Sequence, residues 1–131
     1  MSHFTTLKTQ FVAKAPLLAA LADVAAEFGL GRVRENAVVS GYSGNTTPAE
    51  IVVATRNHNY DLGFRRAGET YELVADWWGI KDIQKEALTQ RLQQRYAYHT
   101  VREQLDQNRF TLVEEKVEAN QTIRLVVRRV A

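Results

Sequence analysis

Hydrophobic and polar positions alternate on both sides of Gly68, and this alternation is the strongest pattern in the chain. From Tyr60 to Ala67, and again from Thr70 to Gly79, aromatic and β-branched residues recur at every second position, which predicts two strands of a hairpin. Gly68 stands at the first central position of the turn, where a type II′ turn requires positive φ. Setting Ala67 opposite Thr70 fixes the register. One face then pairs Phe64 with Leu73, Leu62 with Ala75 and Tyr60 with Trp77, while the other pairs Arg65 with Glu72, Gly63 with Val74 and Asp61 with Asp76. The first face is expected to be core and the second charged.

The remaining elements follow from the same rule. Phe4 to Phe11 alternates as a first strand. Pro16 suits a helix start, Leu17, Leu18, Leu21, Val24, Ala25 and Phe28 recur at helical spacing, and Gly29 supplies the stop. Val33 to Tyr42 and Ile51 to Arg56 read as strands joined by the polar segment Ser43 to Pro48, expected as a mobile tip. A long helix is predicted from Asp82, placed as N-cap, to about Asn108. It carries two apolar stripes, Leu88, Leu92, Tyr96 and His99 beside Ile83, Ala87, Tyr98, Val101 and Leu105, so it either bends or is covered on two sides. Phe110 to Glu118 and Thr122 to Val130 close the chain as a hairpin turned at Ala119-Asn120-Gln121.

The expected fold is therefore α+β, in the order β-α-β-β-β-β-α-β-β. It is a two-layer arrangement with a mostly antiparallel sheet of six to seven strands and two helices packed on one face. Strand, helix, strand, strand occurs twice in this order, although identity between the halves is faint. No Pro-, Gly- or Ser-rich linker divides the chain, so residues 1–131 are expected to form a single domain.

Composition narrows the function classes. Hydrophobic residues at 45% and charged residues at 24% are the ordinary globular mixture. With no cysteine, disulfides, thiolate metal sites and cysteine nucleophiles are excluded. There is neither a basic-then-apolar leader nor an apolar run near membrane-spanning length, which predicts a protein that is not inserted in a membrane. The net charge of +2 permits a nucleic-acid partner without demanding one.

Four residues on the charged hairpin face are the candidate binding site: Asp61, Arg65, Asp76 and Trp78. Like charges at a cross-strand pair are unfavourable, so Asp61 and Asp76 imply something positive between them. The plainer reading is a bridging arginine from Arg65, Arg124 or Arg128; the sharper one is a cation or shared proton, with His3 or His58 as a further ligand. Trp78 must face opposite to Trp77, which places a tryptophan on a polar face. The three histidines stand at unrelated spacings, and no catalytic or cofactor-binding motif is present, so no cofactor is expected. Arg65, Arg66, Arg91, Arg95, Arg102, Arg109, Arg124, Arg128 and Arg129, with Phe4, Tyr42 or Trp78 for stacking, can be assembled into a nucleic-acid surface. The acids Asp61, Glu72, Asp76, Glu114 and Glu118 on the same elements make the face mixed in sign, which suits a protein partner better.

Several segments also carry a family resemblance: Ser2-His3-Phe4-Thr5-Thr6, Glu35 to Tyr42, Tyr60 to Arg66, Tyr71 to Gly79 with its Ala75-Asp76-Trp77-Trp78-Gly79 motif, and Gln94 to His99. Together they resemble the hypothetical chloroplast reading frame thirty-five family, a domain of unknown function in cyanobacteria and plastids. The resemblance implies a cyanobacterial cytoplasmic or plastid stromal setting and assigns no activity to any residue. The expectation drawn from the residues is a non-catalytic interaction, accessory or assembly factor that binds a protein partner through the hairpin face. RNA binding is the first alternative, and an enzyme or metal site using Asp61 and Asp76 the second.

Overall fold

The computed structural model describes residues 3–108, 110–118 and 122–129; Arg109 and the expected turn Ala119-Asn120-Gln121 lie outside them. The α+β class is as the pattern predicts. Strands β1 (Thr5–Lys8), β2 (Val33–Ser40), β3 (Thr46–Ala54), β4 (Asp61–Ala67) and β5 (Thr70–Ala75) form an antiparallel sheet in the order β1-β5-β4-β3-β2. Helices α1 (Lys14–Phe28) and α2 (Lys85–Gln107) complete its core. Among the described residues, the last two strands, β6 (Phe110–Val117) and β7 (Ile123–Arg129), pair only with each other, so these seven strands divide five and two rather than forming one continuous sheet. The repeated strand-helix-strand-strand order is thus not a repeated topology, because β2 and β3 join the main sheet and β6 and β7 do not.

The central hairpin has the predicted register, with Leu62 opposite Ala75, Phe64 opposite Leu73, Arg65 opposite Glu72 and Ala67 opposite Thr70. Gly68 has φ 75°, as the turn requires. The ladder stops at Ala75, however, and the chain leaves it through a 3₁₀ turn at Trp77–Gly79, so Asp61 with Asp76 and Tyr60 with Trp77 are not ladder pairs. Tyr60 and Trp77 still pack on the core. That core joins Leu17, Leu21 and Val24 of α1 and Leu88 and Leu92 of α2 to Ile51, Val53, Leu62, Phe64 and Leu73 of the sheet.

Helix α1 ends as expected at Gly29, which is left-handed at φ 65° and ψ 33°. Its start has no side-chain cap, but the segment leading into it is held from a distance: the Tyr96 hydroxyl of α2 accepts from the backbone N–H groups of Val12 at 2.9 Å and Ala13 at 3.0 Å. Tyr96→Phe removes the atom that accepts both bonds. It is expected to cost about 1–2 kcal/mol, the net scale of two hydrogen bonds, read as a lower urea midpoint.

Salt bridges join the helices: Asp23 to Arg95 at 2.8 Å and to His99 at 2.6 Å, and Glu27 to Arg91 at 3.0 Å. Partial burial disfavours the Asp23 carboxylate, but hydrogen bonds from Arg95 and His99 outweigh it and hold the group below its ordinary pKa. The second stripe of α2 divides: Ile83 and Ala87 pack with the main core, whereas Tyr98 and Val101, with Ala97, border a groove shared with Ile123 and Leu125 of the β6–β7 ribbon, and Tyr98 donates to Glu115 at 2.7 Å. The helix begins at Lys85 with Gln84 as N-cap, two residues later than expected, because Asp82 is engaged by Asn57 Nδ2 at 2.6 Å and Ile83 is buried in the core.

The outer face of the sheet departs most from expectation. Val39, Ala49 and Val52 form a second buried apolar cluster with Phe4 and Ala37 packed against it. Asn36 interrupts β2 with φ 52°, a conformation that asparagine tolerates, and the residues after it lie over β4. Val39 covers Gly63, where an added Cβ overlaps Val39 Cγ2. Thr46 to Pro48 belong to β3 rather than to a loose tip, and Pro48, which has no N–H, lies outside the Ile51–Ala54 stretch that also pairs with β4. The β2–β3 hairpin therefore curls over a face that alternation alone presents as charged.

Candidate functional site

The curl carries the segment 40–45 onto the end of the central hairpin, and two carboxylates receive it there. Asp61, 8% exposed, accepts from Ser40 N–H at 2.9 Å, with the Arg34 guanidinium 3.5 Å away. Asp76, fully buried, accepts through Oδ2 from Tyr42 N–H at 2.8 Å and through Oδ1 from Trp78 N–H at 3.2 Å. Between them, an added Cβ on Gly41 comes within 2.8 Å of the Phe4 ring and 3.1 Å of Asp76 Cβ. Only glycine lets the backbone approach this closely. The positive groups implied by Asp61 and Asp76 are therefore backbone dipoles and Arg34; Arg65 is held by Glu72 at 2.6 Å and Thr47 at 3.3 Å, and Arg124 by Glu118 at 2.8 Å.

Trp78 stands above this anchor with 56% of its surface exposed, next to Tyr42 at 37%. Their rings meet edge to face at 5.2 Å. His3 stacks on Trp78 at 5.7 Å and meets Tyr42 edge-on at 4.8 Å. Lys81 Nζ lies 4.9 Å from the centre of the Trp78 ring and donates to the Trp78 carbonyl at 2.5 Å. Beneath, Gly79 packs so closely on Tyr60 that an added Cβ overlaps the phenol ring at Cε1. Burial first, then the charge of Asp76, raises the Tyr60 pKa. Sequence reasoning brought Tyr42 and Trp78 to one face but missed Lys81 and Arg34. The signal for Lys81 is its position three residues after Trp78 across the Gly79 turn.

A second polar cluster lies on the core side. Tyr71, fully buried, donates to Glu50 and carries Arg66 over its ring at 4.3 Å. Burial and the Glu50 carboxylate push its pKa up to about 12. Among the described residues, no group of three or more His, Asp or Glu side chains is arranged to hold a metal ion. His58 is exposed, His99 lies against Asp23 and His3 against Trp78. Of the described arginines, Arg91 and Arg95 join Glu27 and Asp23 on α1, and Arg102 donates to Tyr98. Arg109 and the side chain of Arg129 lie outside the described residues.

Residues 24–126 match the family described as "Protein of unknown function (DUF1257)". The chain belongs to this family. It is also 36% identical to "Uncharacterized protein ycf35" of Guillardia theta over 135 residues, and 29% identical to the protein of the same name from Cyanophora paradoxa over 131 residues, with 98% of each chain covered in both cases. These matches bear out the resemblance carried by the sequence motifs. No solved structure matches the chain. Within the DUF1257 match lie Arg34, Tyr42, Asp61, Arg65, Asp76, Trp78 and Lys81, so the whole anchor and most of the aromatic surface are part of the family region; His3 precedes it. No helix among the described residues of this DUF1257 chain is long and apolar enough to cross a membrane.

Proposed function

We propose that this DUF1257 chain acts as one domain over residues 1–131, a non-catalytic accessory or assembly factor of a cyanobacterial cytoplasm or plastid stroma, and binds a protein partner through the surface around Trp78. The supporting observation is the large exposed indole, fixed in place by Tyr42, His3, Lys81 and a backbone bond to Asp76. A rigid aromatic group loses little conformational freedom on binding, which is why tryptophan dominates binding energy at interfaces. In this reading Trp78 is the contact residue, Asp61 and Asp76 are positioning residues that hold the segment 40–45, and Arg65, paired with Glu72 and bonded to Thr47, lies farther along β4 toward the Gly68 turn.

Trp78→Ala is expected to leave the melting transition nearly unchanged, since it removes mostly exposed area, within about 1 kcal/mol. Binding should be lost. The tagged protein and this variant are compared by quantitative mass spectrometry after gentle purification from the native host, with a photo-crosslinker beside Trp78 to identify what touches it. One protein crosslinked at this position and depleted at least tenfold with the variant supports the reading. Equal recovery with both baits overturns it, and recovery of nuclease-sensitive material alone transfers the surface to nucleic acid.

A further inference from the structure

Resting on the docking surface just described, we propose that the segment of the partner that covers Trp78 is acidic, presenting an aspartate or glutamate to Lys81 next to an apolar or aromatic side chain that packs on the indole. Alternation of charges along the hairpin suggests a mixed face, but at its Trp78 end the two aspartates are internal, and the exposed Asp82 beside Lys81 is engaged by Asn57 and Arg56. Asp76 is fully buried with two backbone N–H donors, and Asp61 is nearly buried under Ser40 N–H and Arg34. Lys81, by contrast, is exposed. Its ammonium touches the Trp78 ring and one neutral carbonyl, and no carboxylate of the described residues lies within ion-pair distance of it. An ammonium has three donors, so two remain for a partner.

A partner approaching Trp78 therefore meets positive charge and aromatic surface, and charge complementarity selects a carboxylate. Nucleic acid offers the same sign, but tracking a phosphate backbone requires a row of unpaired cations along a groove. Here Arg34, Arg65, Arg91, Arg95 and Arg124 each face a carboxylate of the chain itself. A single ammonium beside an indole matches one acidic side chain better than a polyanion.

The test is selection of a random peptide display library on the wild-type protein, with counter-selection on Trp78→Ala to keep only peptides that need the indole. The expected outcome is a set of Trp78-dependent peptides enriched in Asp or Glu within two residues of a large apolar side chain. A synthesised winner should bind Lys81→Gln several-fold more weakly and Lys81→Glu at least tenfold more weakly, and selection on Lys81→Glu should return Lys- or Arg-bearing peptides instead. Trp78-dependent peptides that are neutral or basic overturn the acidic partner while leaving the docking surface standing. Failure to recover any Trp78-dependent peptide removes the docking surface, and the acidic partner with it. Trp78-dependent binding of an oligouridine as tight as that of the best peptide overturns the choice of a protein ligand.

Discussion

Asp76→Ala should destabilise the fold by roughly 2–6 kcal/mol, because it leaves the N–H groups of Tyr42 and Trp78 without their acceptor and each unsatisfied donor costs about 1–3 kcal/mol. Urea denaturation reads this directly as a lower midpoint at unchanged slope. Asp76→Asn keeps one oxygen and turns an amide toward the other donor, so about half of the loss is expected. Asp61→Ala should cost less than Asp76→Ala, since Asp61 has one backbone donor and a half-exposed Arg34 that water can solvate when released. A loss below about 1 kcal/mol for Asp76→Ala would mean that the segment 40–45 is held by other contacts and that Asp76 serves a different purpose. The near-ultraviolet circular dichroism of Trp78 should weaken in parallel, because the bond that orients its backbone is gone.

The central hairpin was legible because its information is local. A glycine at the turn and alternating positions on both sides fix the register, and all six ladder pairs from Leu62 with Ala75 to Ala67 with Thr70 follow from them. Helix α1 was legible for the same reason, with a periodic stripe and a terminal glycine. The partners of Asp61 and Asp76 were not. They are backbone N–H groups of Ser40 and Tyr42, which lie 21 and 34 residues upstream and carry no side-chain signature. A buried carboxylate with such partners looks, in sequence, the same as one waiting for a cation. The start of α2 was misplaced because Asp82 is an equally good N-cap residue and tertiary contacts with Asn57 drew it elsewhere.

Trp78 is exposed and separated from Trp77, but the reason given for that separation only partly holds. Opposite facing of Trp77 and Trp78 assumes that the strand continues, whereas the chain has already entered a 3₁₀ turn. The two still separate, Trp77 onto the core and Trp78 into solvent, because the turn rotates successive side chains by a large angle as well. The charged outer face misled in the other direction. The expected register sets Gly63 opposite Val74 between two charged pairs, and its meaning as a seat for Val39 depends on a strand that turns at Asn36, well upstream in the chain.

Gly63 and Val39 provide the second large expected effect. An added Cβ at position 63 overlaps Val39 Cγ2 and meets Ala49 Cβ at 3.2 Å, and both Val39 and Val52 beside it are fully buried. Overpacking of this kind costs about 1–3 kcal/mol, less whatever alanine gains over glycine in a strand. Val39→Ala should cost about 2 kcal/mol as a buried truncation. In the double variant the new methyl occupies the space that the valine leaves. The combined loss should therefore fall short of the sum by at least about 1 kcal/mol, well outside the additivity expected of independent sites. Additive losses would show that β2 does not rest on Gly63. Because the same strand delivers Ser40 to Asp61 and leads directly to Tyr42 at Asp76, lifting Val39 loosens both bonds and the aromatic surface above them. Gly63→Ala alone should thus also weaken partner capture at Trp78, and adding Val39→Ala should restore part of it, which ties the packing of a buried valine to the position of an exposed tryptophan.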